Sequence, residues 1–486
     1  MRLDGRDLGE QLLADERVDQ AILTGAYETA ELFRSFRQDL PLYAETSGKN
    51  AIIVTPSADF DLAAKDIAYS AFGHAGQKCS AASLVVLVGS VSKSERFRRQ
   101  LLDAVDGYEV GYPWDEGARI GPVIAPAEGK LLRGLTKLEP GQKWVIEPQQ
   151  LDDSGALWSP GIRENVERGS EFHLTEYFGP VTGIMTAETL EEAVSIVNDV
   201  EYGLTSGLHS LDVDEIQQWL GSVQAGNAYI NRVITGAIVE RQPFGGWKKS
   251  AVGPGTKAGG PSYLFGLGTW TDAPQTSSRR DARGHADAAS RRAMKAVPDG
   301  DHAWLENALA SDIRAFADEY GVSRDVQGLE LEQNVLRYVP TPVTIRYEGS
   351  RVEELVRVVA AGVRIGAPID VSSALSVPQA VRDYLADVGV AFRVEEGAAW
   401  ATRAAAFARS GARIRLIGGS AEPIFLATEG EPNVAVYDGE VTGSGRVEML
   451  PFVREQAVSI TAHRFGNPRR YEVPVVAGGA GSLIAH

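Results

Sequence analysis

Short apolar runs and amphipathic runs alternate from Gln20 to Asn231, and this rhythm constrains the chain more than any other feature. "QAILTG" (Gln20–Gly25) reads as a strand entering a turn, and "AYETAELFRSFRQ" after it as a helix. A further strand, a turn around Gly48, a strand at Ala51–Val54 and an amphipathic helix from about Asp61 follow. "SLVVLVG", "VTGIMTA", "TSGLHS" and "NAYINR" continue as strands, interleaved with the helical patterns "SKSERFRRQLLDAV", "LEEAVSIVNDV" and "DEIQQWLGSV". Strands separated by helix-length segments cannot form tight hairpins, so the pattern predicts an α/β fold built on parallel sheet. The same rhythm resumes after about Asp301, through "VEELVRVVAAGVRIG", "IDVSSA", "PQAVRDYLADVG", "AFRVEE", "AAWATRAAAFARSG", "RIRLIGG" and "NVAVYDG". It predicts a second α/β domain, with no cysteine and no G-x-G-x-x-G, for which a structural or assembly role is expected. Between the two lies a polar Ala/Arg/Asp/Ser-rich stretch, Thr271–Asp301, expected to be a connector with its paired arginines on a solvated face.

Charge and cysteine usage narrow the function. The formal net charge of −17 argues against nucleic acid or an anionic membrane as partner, since those require a basic face. A single cysteine in 486 residues excludes an internal disulfide framework and Cys-rich metal sites, and the seven histidines show no ligand spacing, so no metal is expected. "MRLDGRDLGE" has no apolar core to act as a secretory signal, and "SLVVLVG" is far below the ~20 residues of a membrane span. A soluble cytoplasmic protein is expected.

The lone cysteine, Cys79, sits in "AFGHAGQKCSAASLVVL". An isolated cysteine is most simply a small, inert core residue. Its surroundings also suit a nucleophile: Gly73 and Gly76 allow a tight approach loop, and Lys78 is a neighbouring cation that would favour the thiolate. A helical turn starting after Cys79 would add N–H groups for an oxyanion. Glu45, in the turn "ETSGKN", is a carboxylate that would activate water against an acyl-enzyme, although alone it reads more readily as a solvated turn residue. The tract "PFGGWKKSAVGPGTKAGGPSYL" has the glycine density of a shaped loop.

Taken together, "ETSGKNAIIV", "GQKCSAASLVVL", "TEYFGPV" (Thr175–Val181), "YGLTSGLHS" and "QPFGGWKKS" resemble, in order, the signature stretches of the aldehyde dehydrogenase superfamily, over roughly Gln20–Leu264. "GQKCSA" and "TKAGGPSYL" look most like the glutamate semialdehyde (1-pyrroline-5-carboxylate) dehydrogenases. "GRVEMLPFVREQAVSITAHRFGNP" resembles the C-terminal region of bifunctional proline utilization A proteins. The resemblance implies an aldehyde dehydrogenase-like three-layer fold with parallel sheets, followed by a Rossmann-like α/β domain. It divides the chain into a remnant of the NAD-binding domain (1–75), a catalytic domain (76–255), a return segment or oligomerisation strand (256–275), a linker (276–305) and a noncatalytic α/β domain (306–486).

It also implies NAD-dependent oxidation of L-glutamate γ-semialdehyde to L-glutamate. Cys79 would be the nucleophile, its own N–H an oxyanion donor, and Glu45 the helper of deacylation. Glu176 would hold the nicotinamide ribose and Phe178 would pack near the ring, with Thr24 and Gly25 at the pyrophosphate turn. Lys78 and Ser80 would line the aldehyde pocket, and Ser250, Gly253 and Gly255 would grip the substrate's α-carboxylate and amine. Partners would be a like subunit, or a longer bifunctional chain with a flavin-dependent proline dehydrogenase domain. Three departures stand out: the chain begins about a domain-length late, without the usual oxyanion-hole asparagine and adenosine-ribose lysine; Ala26 replaces the usual serine after "TG"; and "SAVGPGTKAGG" has Ala251 for glycine and two extra residues. The alternatives are another semialdehyde dehydrogenase, such as one for succinate semialdehyde, or a noncatalytic C-terminal assembly module.

Overall fold

The computed structural model describes residues 6–273, 287–464 and 466–475. Its main element is a ten-stranded sheet whose centre is Asn50–Val54, Ala82–Val88 and Val181–Ala187, all parallel. The first two strands are buried along almost their whole length, which is why they read as continuous apolar runs rather than alternating ones. Gly161–Glu164 extends the sheet on one side, and Thr205–His209 and Asn227–Ile230 on the other, again in parallel. Helices cover the faces. Phe60–Phe72 starts where the Asp59 carboxylate accepts from the Leu62 N–H (3.2 Å), and Glu95–Asp106 where the Ser94 hydroxyl accepts from the Phe97 N–H (3.2 Å).

A second, three-stranded sheet joins Ala21–Thr24 to Leu42–Glu45 in parallel and Leu42–Glu45 to Ala251–Val252 antiparallel. The boundary expected at residue 75 therefore cuts through the ten-stranded sheet, because Asn50–Val54 already belongs to it.

The C-terminal part holds a five-stranded, all-parallel sheet in the order Ala391–Val394, Ile369–Ser373, Val343–Tyr347, Ala412–Ile417, Val434–Tyr437. Growth outward from the first strand in both directions is the doubly wound Rossmann pattern. The part is not separate. Val453–Thr461 lies parallel to Asn227–Ile230, and Glu332–Pro340 lies antiparallel to Val453–Thr461, so both extend the cysteine-bearing sheet. Segment 256–275 forms no such strand among its described residues; it carries an isolated bridge from Ala258 to Phe244 and a 3-10 turn at Tyr263–Leu267. Of the expected linker, residues 276–286 lie outside the described residues. From Asp287 the chain is helical (Ala288–Met294) and buries Ala293, Ala296 and Val297 in the C-terminal core, because Asp287 caps the helix and holds Arg364 in an ion pair (2.5 Å). Among the described residues, no helix is long and apolar enough to cross a membrane.

Candidate active site

The site forms where the N-terminal ends of the central parallel strands meet the C-terminal end of Leu42–Glu45. Cys79 lies on a turn between the 3-10 segment Gly73–Gly76 and the strand Ala82–Val88, closed by the Ala81 N–H donating to the Lys78 carbonyl (2.9 Å). A strand follows, not a helix, so the anticipated helix N-terminus is absent. The N–H groups that bear on the sulfur are those of Ser80 and Cys79 itself.

Two residues of the turn "ETSGKN" hold Cys79 in place. The Asn50 amide donates to the carbonyls of Cys79 (2.7 Å) and Ala81 (3.0 Å), while its oxygen accepts from the Thr205 N–H (3.0 Å). Gly48 packs so closely that a Cβ there would stand 2.5 Å from the Cys79 carbonyl oxygen. The Gly48 N–H donates to the Glu176 carboxylate (2.9 Å), so one short loop joins the cysteine to the glutamate of "TEYFGPV". A second link runs through Gln77, which donates to the Phe178 carbonyl (3.2 Å) and accepts from the Ile124 N–H (2.8 Å). Phe178 itself has φ of 56° and is 39 % exposed, an unusual conformation that turns the ring outward beside Glu176.

The thiol is not pre-ionised. Burial pushes its pKa up, and the Glu176 and Glu45 carboxylates push it the same way; only the Ser80 and Cys79 N–H groups oppose them. Lys78, expected to favour the thiolate, is not among the charges that dominate at the sulfur. Alkylation of this sole thiol by iodoacetamide should therefore be slow at pH 7 and accelerate through the alkaline range, above the profile of a small free thiol. A rate at pH 7 exceeding that of glutathione would contradict this electrostatic account.

Glu45 ends its strand partly buried, with its carboxylate accepting from the Gly246 N–H (3.0 Å). Burial, with some help from Glu455, pushes its pKa up to about 8 against the pull of Lys257 and the Gly246 N–H. The Lys257 ammonium donates to Asn227 (2.8 Å) and to the Gly245 carbonyl, and its main-chain N–H donates to Glu455 (2.7 Å).

Other expected residues fall differently. The Ser250 side chain is fully buried; its hydroxyl donates to the Ser47 carbonyl (2.7 Å) and accepts from the Gly203 N–H (3.0 Å). Ser250 thus braces the Glu45 turn and has no free hydroxyl for a substrate. Gly253 and Gly255 pack on the Leu42 carbonyl and the Tyr43 ring, so their part of the loop lies along the Glu45 strand. Lys78 lies beside Glu176 and Phe178 in a small recess, and Ser80 is buried behind it. Thr24 and Gly25 are exposed at the end of Ala21–Thr24, where the Gly25 N–H donates to the Glu45 carbonyl (3.2 Å). Ala26 caps the helix Tyr27–Phe36 without a side-chain hydrogen bond, as its substitution for serine implies.

Sequence reasoning assigned no role to Lys49, which is 3 % exposed with its ammonium 4.2 Å from the Phe172 ring centroid and 5.5 Å from that of Tyr177. Burial pushes its pKa down to about 7, opposed by Glu176. Asn50 was equally unassigned. Their only signal was membership of "ETSGKN", because the partners lie far away in sequence.

Comparisons with known proteins identify the family. A model described as the aldehyde dehydrogenase family matches residues 2–266. The 1-pyrroline-5-carboxylate dehydrogenase of Bacillus subtilis is 34% identical over 271 residues, covering 54% of this chain and 52% of its own length. The bifunctional protein PutA of Salmonella typhimurium is 33% identical over 360 residues, covering 69% of this chain and 27% of its own length. Among solved structures, proline utilization A from Corynebacterium freiburgense superimposes with a TM-score of 0.81 and 45% identity, over 96% of this chain and 44% of that one. The chain thus spans about half the length of that dehydrogenase and about a quarter of the bifunctional relative.

Proposed function

Because this chain belongs to the aldehyde dehydrogenase family, we propose that it carries out the NAD-dependent oxidation of L-glutamate γ-semialdehyde to L-glutamate, the second step of proline catabolism. We place it in the cytoplasm, within a longer bifunctional assembly whose other activity is a flavin-dependent proline dehydrogenase. The observation that carries the reading is the joining of Cys79 and Glu176 by one loop: Asn50 and Gly48 hold the Cys79 carbonyl while the Gly48 N–H holds the Glu176 carboxylate.

The residues present suit the nicotinamide end of the cofactor. Phe178 offers an exposed ring, Glu176 a carboxylate beside it, and Thr24 and Gly25 an open strand end. When bound, NAD accepts the hydride released by the substrate carbon. The protein's own groups do the rest. The Cys79 sulfur gives up its proton to solvent water and bonds to the aldehyde carbon, whose C=O π bond opens onto oxygen, giving a thiohemiacetal oxyanion that the Cys79 N–H stabilises. Loss of hydride leaves a thioester on Cys79. Glu45 takes a proton from water as that water attacks the thioester carbon, the C–S bond breaks, and glutamate leaves. Lys78 lines the aldehyde pocket, with Ser80 buried behind it. Ser250 is a brace, and Gly253 and Gly255 act through the backbone they pack against the Glu45 strand. The C-terminal α/β part has an assembly role, since it lends Glu332–Pro340 and Val453–Thr461 to the cysteine-bearing sheet.

A substrate comparison followed by NADH absorbance tests the reading. Glutamate semialdehyde should turn over faster than succinate semialdehyde; the reverse order would overturn the substrate assignment. Glu45 adds a pH signature. With a pKa of about 8 it is mostly protonated at pH 7 and cannot act as a base. Where thioester hydrolysis limits turnover, the rate should climb about tenfold per pH unit below 8 and level above it. Glu45→Gln should abolish that slope in single-turnover hydrolysis; a slope unchanged in the variant would remove Glu45 from the step.

A further inference from the structure

A pairing across the glycine-rich tract sets the turn that meets Glu45. Phe244 and Ala258 form an antiparallel bridge, with hydrogen bonds in both directions (2.9 and 2.8 Å). In such a bridge the residue after one partner stands opposite the residue before the other, so Gly245 faces Lys257. A Cβ on Gly245 would stand 3.2 Å from the Lys257 Cα and 2.7 Å from the Glu45 Oε1. Only the bare backbone of Gly245 fits between the two side chains.

One peptide unit then joins them. Its carbonyl, that of Gly245, accepts from the Lys257 ammonium; its N–H, that of Gly246, donates to the Glu45 carboxylate (3.0 Å). Asn227 fixes the same turn from the ten-stranded sheet. Its side-chain oxygen accepts from the Lys257 ammonium (2.8 Å) and the Gly245 N–H (3.2 Å), and its amide nitrogen donates to the Pro243 carbonyl (3.0 Å). Lys257 is 3 % exposed, and both of these acceptors are neutral, so the ammonium is desolvated without a carboxylate bonded to it there. That is a costly place for a charge. A cation on an amide oxygen draws electron density from the nitrogen, which makes the N–H of the same unit a stronger donor. Lys257 is also the cation that opposes burial at Glu45, while Glu455 acts the other way. Lys248, Arg413 and Arg454 line the cavity beside Glu45 but are not among the charges that dominate there.

We propose that Lys257 is a positioning residue for Glu45: its ammonium fixes the Gly245 carbonyl, so that the N–H of the same peptide unit stays aimed at the carboxylate that takes the proton from water. Its charge works to the same end by favouring the ionised carboxylate. The inference rests on the assignment of Glu45 as the base in thioester hydrolysis, and it does not depend on which aldehyde is the substrate.

Single-turnover thioester hydrolysis, followed across the neutral and alkaline range in wild type, Lys257→Met and Lys257→Gln, tests it. Both variants remove the charge, and glutamine keeps a donor for the Gly245 carbonyl. In both, the pH at which the rate levels should rise by about one unit, because Glu45 loses the cation that favours its charged form. Above that pH, Lys257→Met should be about threefold or more slower than Lys257→Gln, since methionine also releases the peptide. A strap needed only for stability would lower the Tm and scale the rate at every pH without moving the inflection, and that result would overturn the proposal. Where a variant hydrolyses too slowly to follow, alkylation of Cys79 by iodoacetamide at pH 8 reads the same charge without turnover, because the Glu45 carboxylate raises the pKa of the thiol. Lys257→Met should then react roughly twofold faster than wild type, and the double variant with Glu45→Gln no faster than Glu45→Gln alone. A Lys257 effect that persists without Glu45, or none in wild-type background, would equally overturn it. The two failures are distinct: a pH slope that survives in Glu45→Gln removes Glu45 from the step, whereas a slope lost in Glu45→Gln with the inflection unmoved in both Lys257 variants removes Lys257 alone.

Discussion

Replacing Cys79 by alanine should lower aldehyde oxidation by at least on the order of 10³-fold while leaving the protein folded. The two halves of that expectation have separate causes. Removing a nucleophile leaves only binding and electrostatic assistance, and losses for such groups run from thousands-fold upward. Stability should change by less than about 1 kcal/mol, because Cys79 is only partly buried on a turn and the groups that hold the turn are its backbone carbonyl and those of Lys78 and Ala81. Alanine keeps all of these. The chain contains no other cysteine, so the variant also removes every thiol, and a dithiobis-nitrobenzoate titration verifies the substitution. If Cys79 were only a packing residue, the pattern would invert: activity within tenfold of wild type, with a lowered Tm. That result would leave the cysteine as packing.

The parts of this molecule that could be read from sequence were those in which neighbours in the chain decide the outcome. The alternation that predicts parallel sheet is local, and its strands appear close to where it places them: Asn50–Val54, Ala82–Val88, Thr205–His209, and in the C-terminal part Ile369–Ser373 and Val434–Tyr437. The strands Glu332–Pro340 and Val453–Thr461 escaped because they bury polar side chains. Arg337 meets Gln456 (2.6 Å), and Asn334 meets Ser459 (2.5 Å) and Gln242 (2.6 Å), so the residues that fill this edge carry no hydrophobic alternation. The chemistry of the site shows the same division. Lys78 is next to Cys79 in sequence, yet the charges that matter come from Glu176 and Glu45, which only the fold brings near. Glycine density in the loop after Phe244 announced close approach of backbone. It could not say whether a ligand or the chain's own Leu42–Glu45 strand would be approached, and for Gly253 and Gly255 it is the strand.

Gly76→Ala should be among the most disruptive single changes near the site, and comparison with Gly73→Ala separates its causes. Gly76 has φ of 66°, where an alanine is strained by about 1–2 kcal/mol before any contact is considered. Its Cβ would also drive into the Gly179 carbonyl and stand 3.0 Å from that of Ala71, both backbone atoms with no flexible end to yield. Gly73, three residues earlier in the same 3-10 segment, has φ of −55° and open space where a Cβ would stand. The first variant should lose at least about 2 kcal/mol in urea unfolding, and the second under about 1. Stability is only part of the effect. The Gly76–Gly179 contact and the Gln77 bond to the Phe178 carbonyl set the distance between the cysteine turn and the turn of Glu176 and Phe178. Forcing them apart weakens the negative field of Glu176 at the sulfur and opens the turn to solvent. Alkylation of Cys79 at pH 8 should therefore become faster in Gly76→Ala, even as aldehyde oxidation falls, and remain near wild type in Gly73→Ala. Equal stability and equal alkylation rates in the two variants would mean that the approach of these two backbones does not govern the thiol.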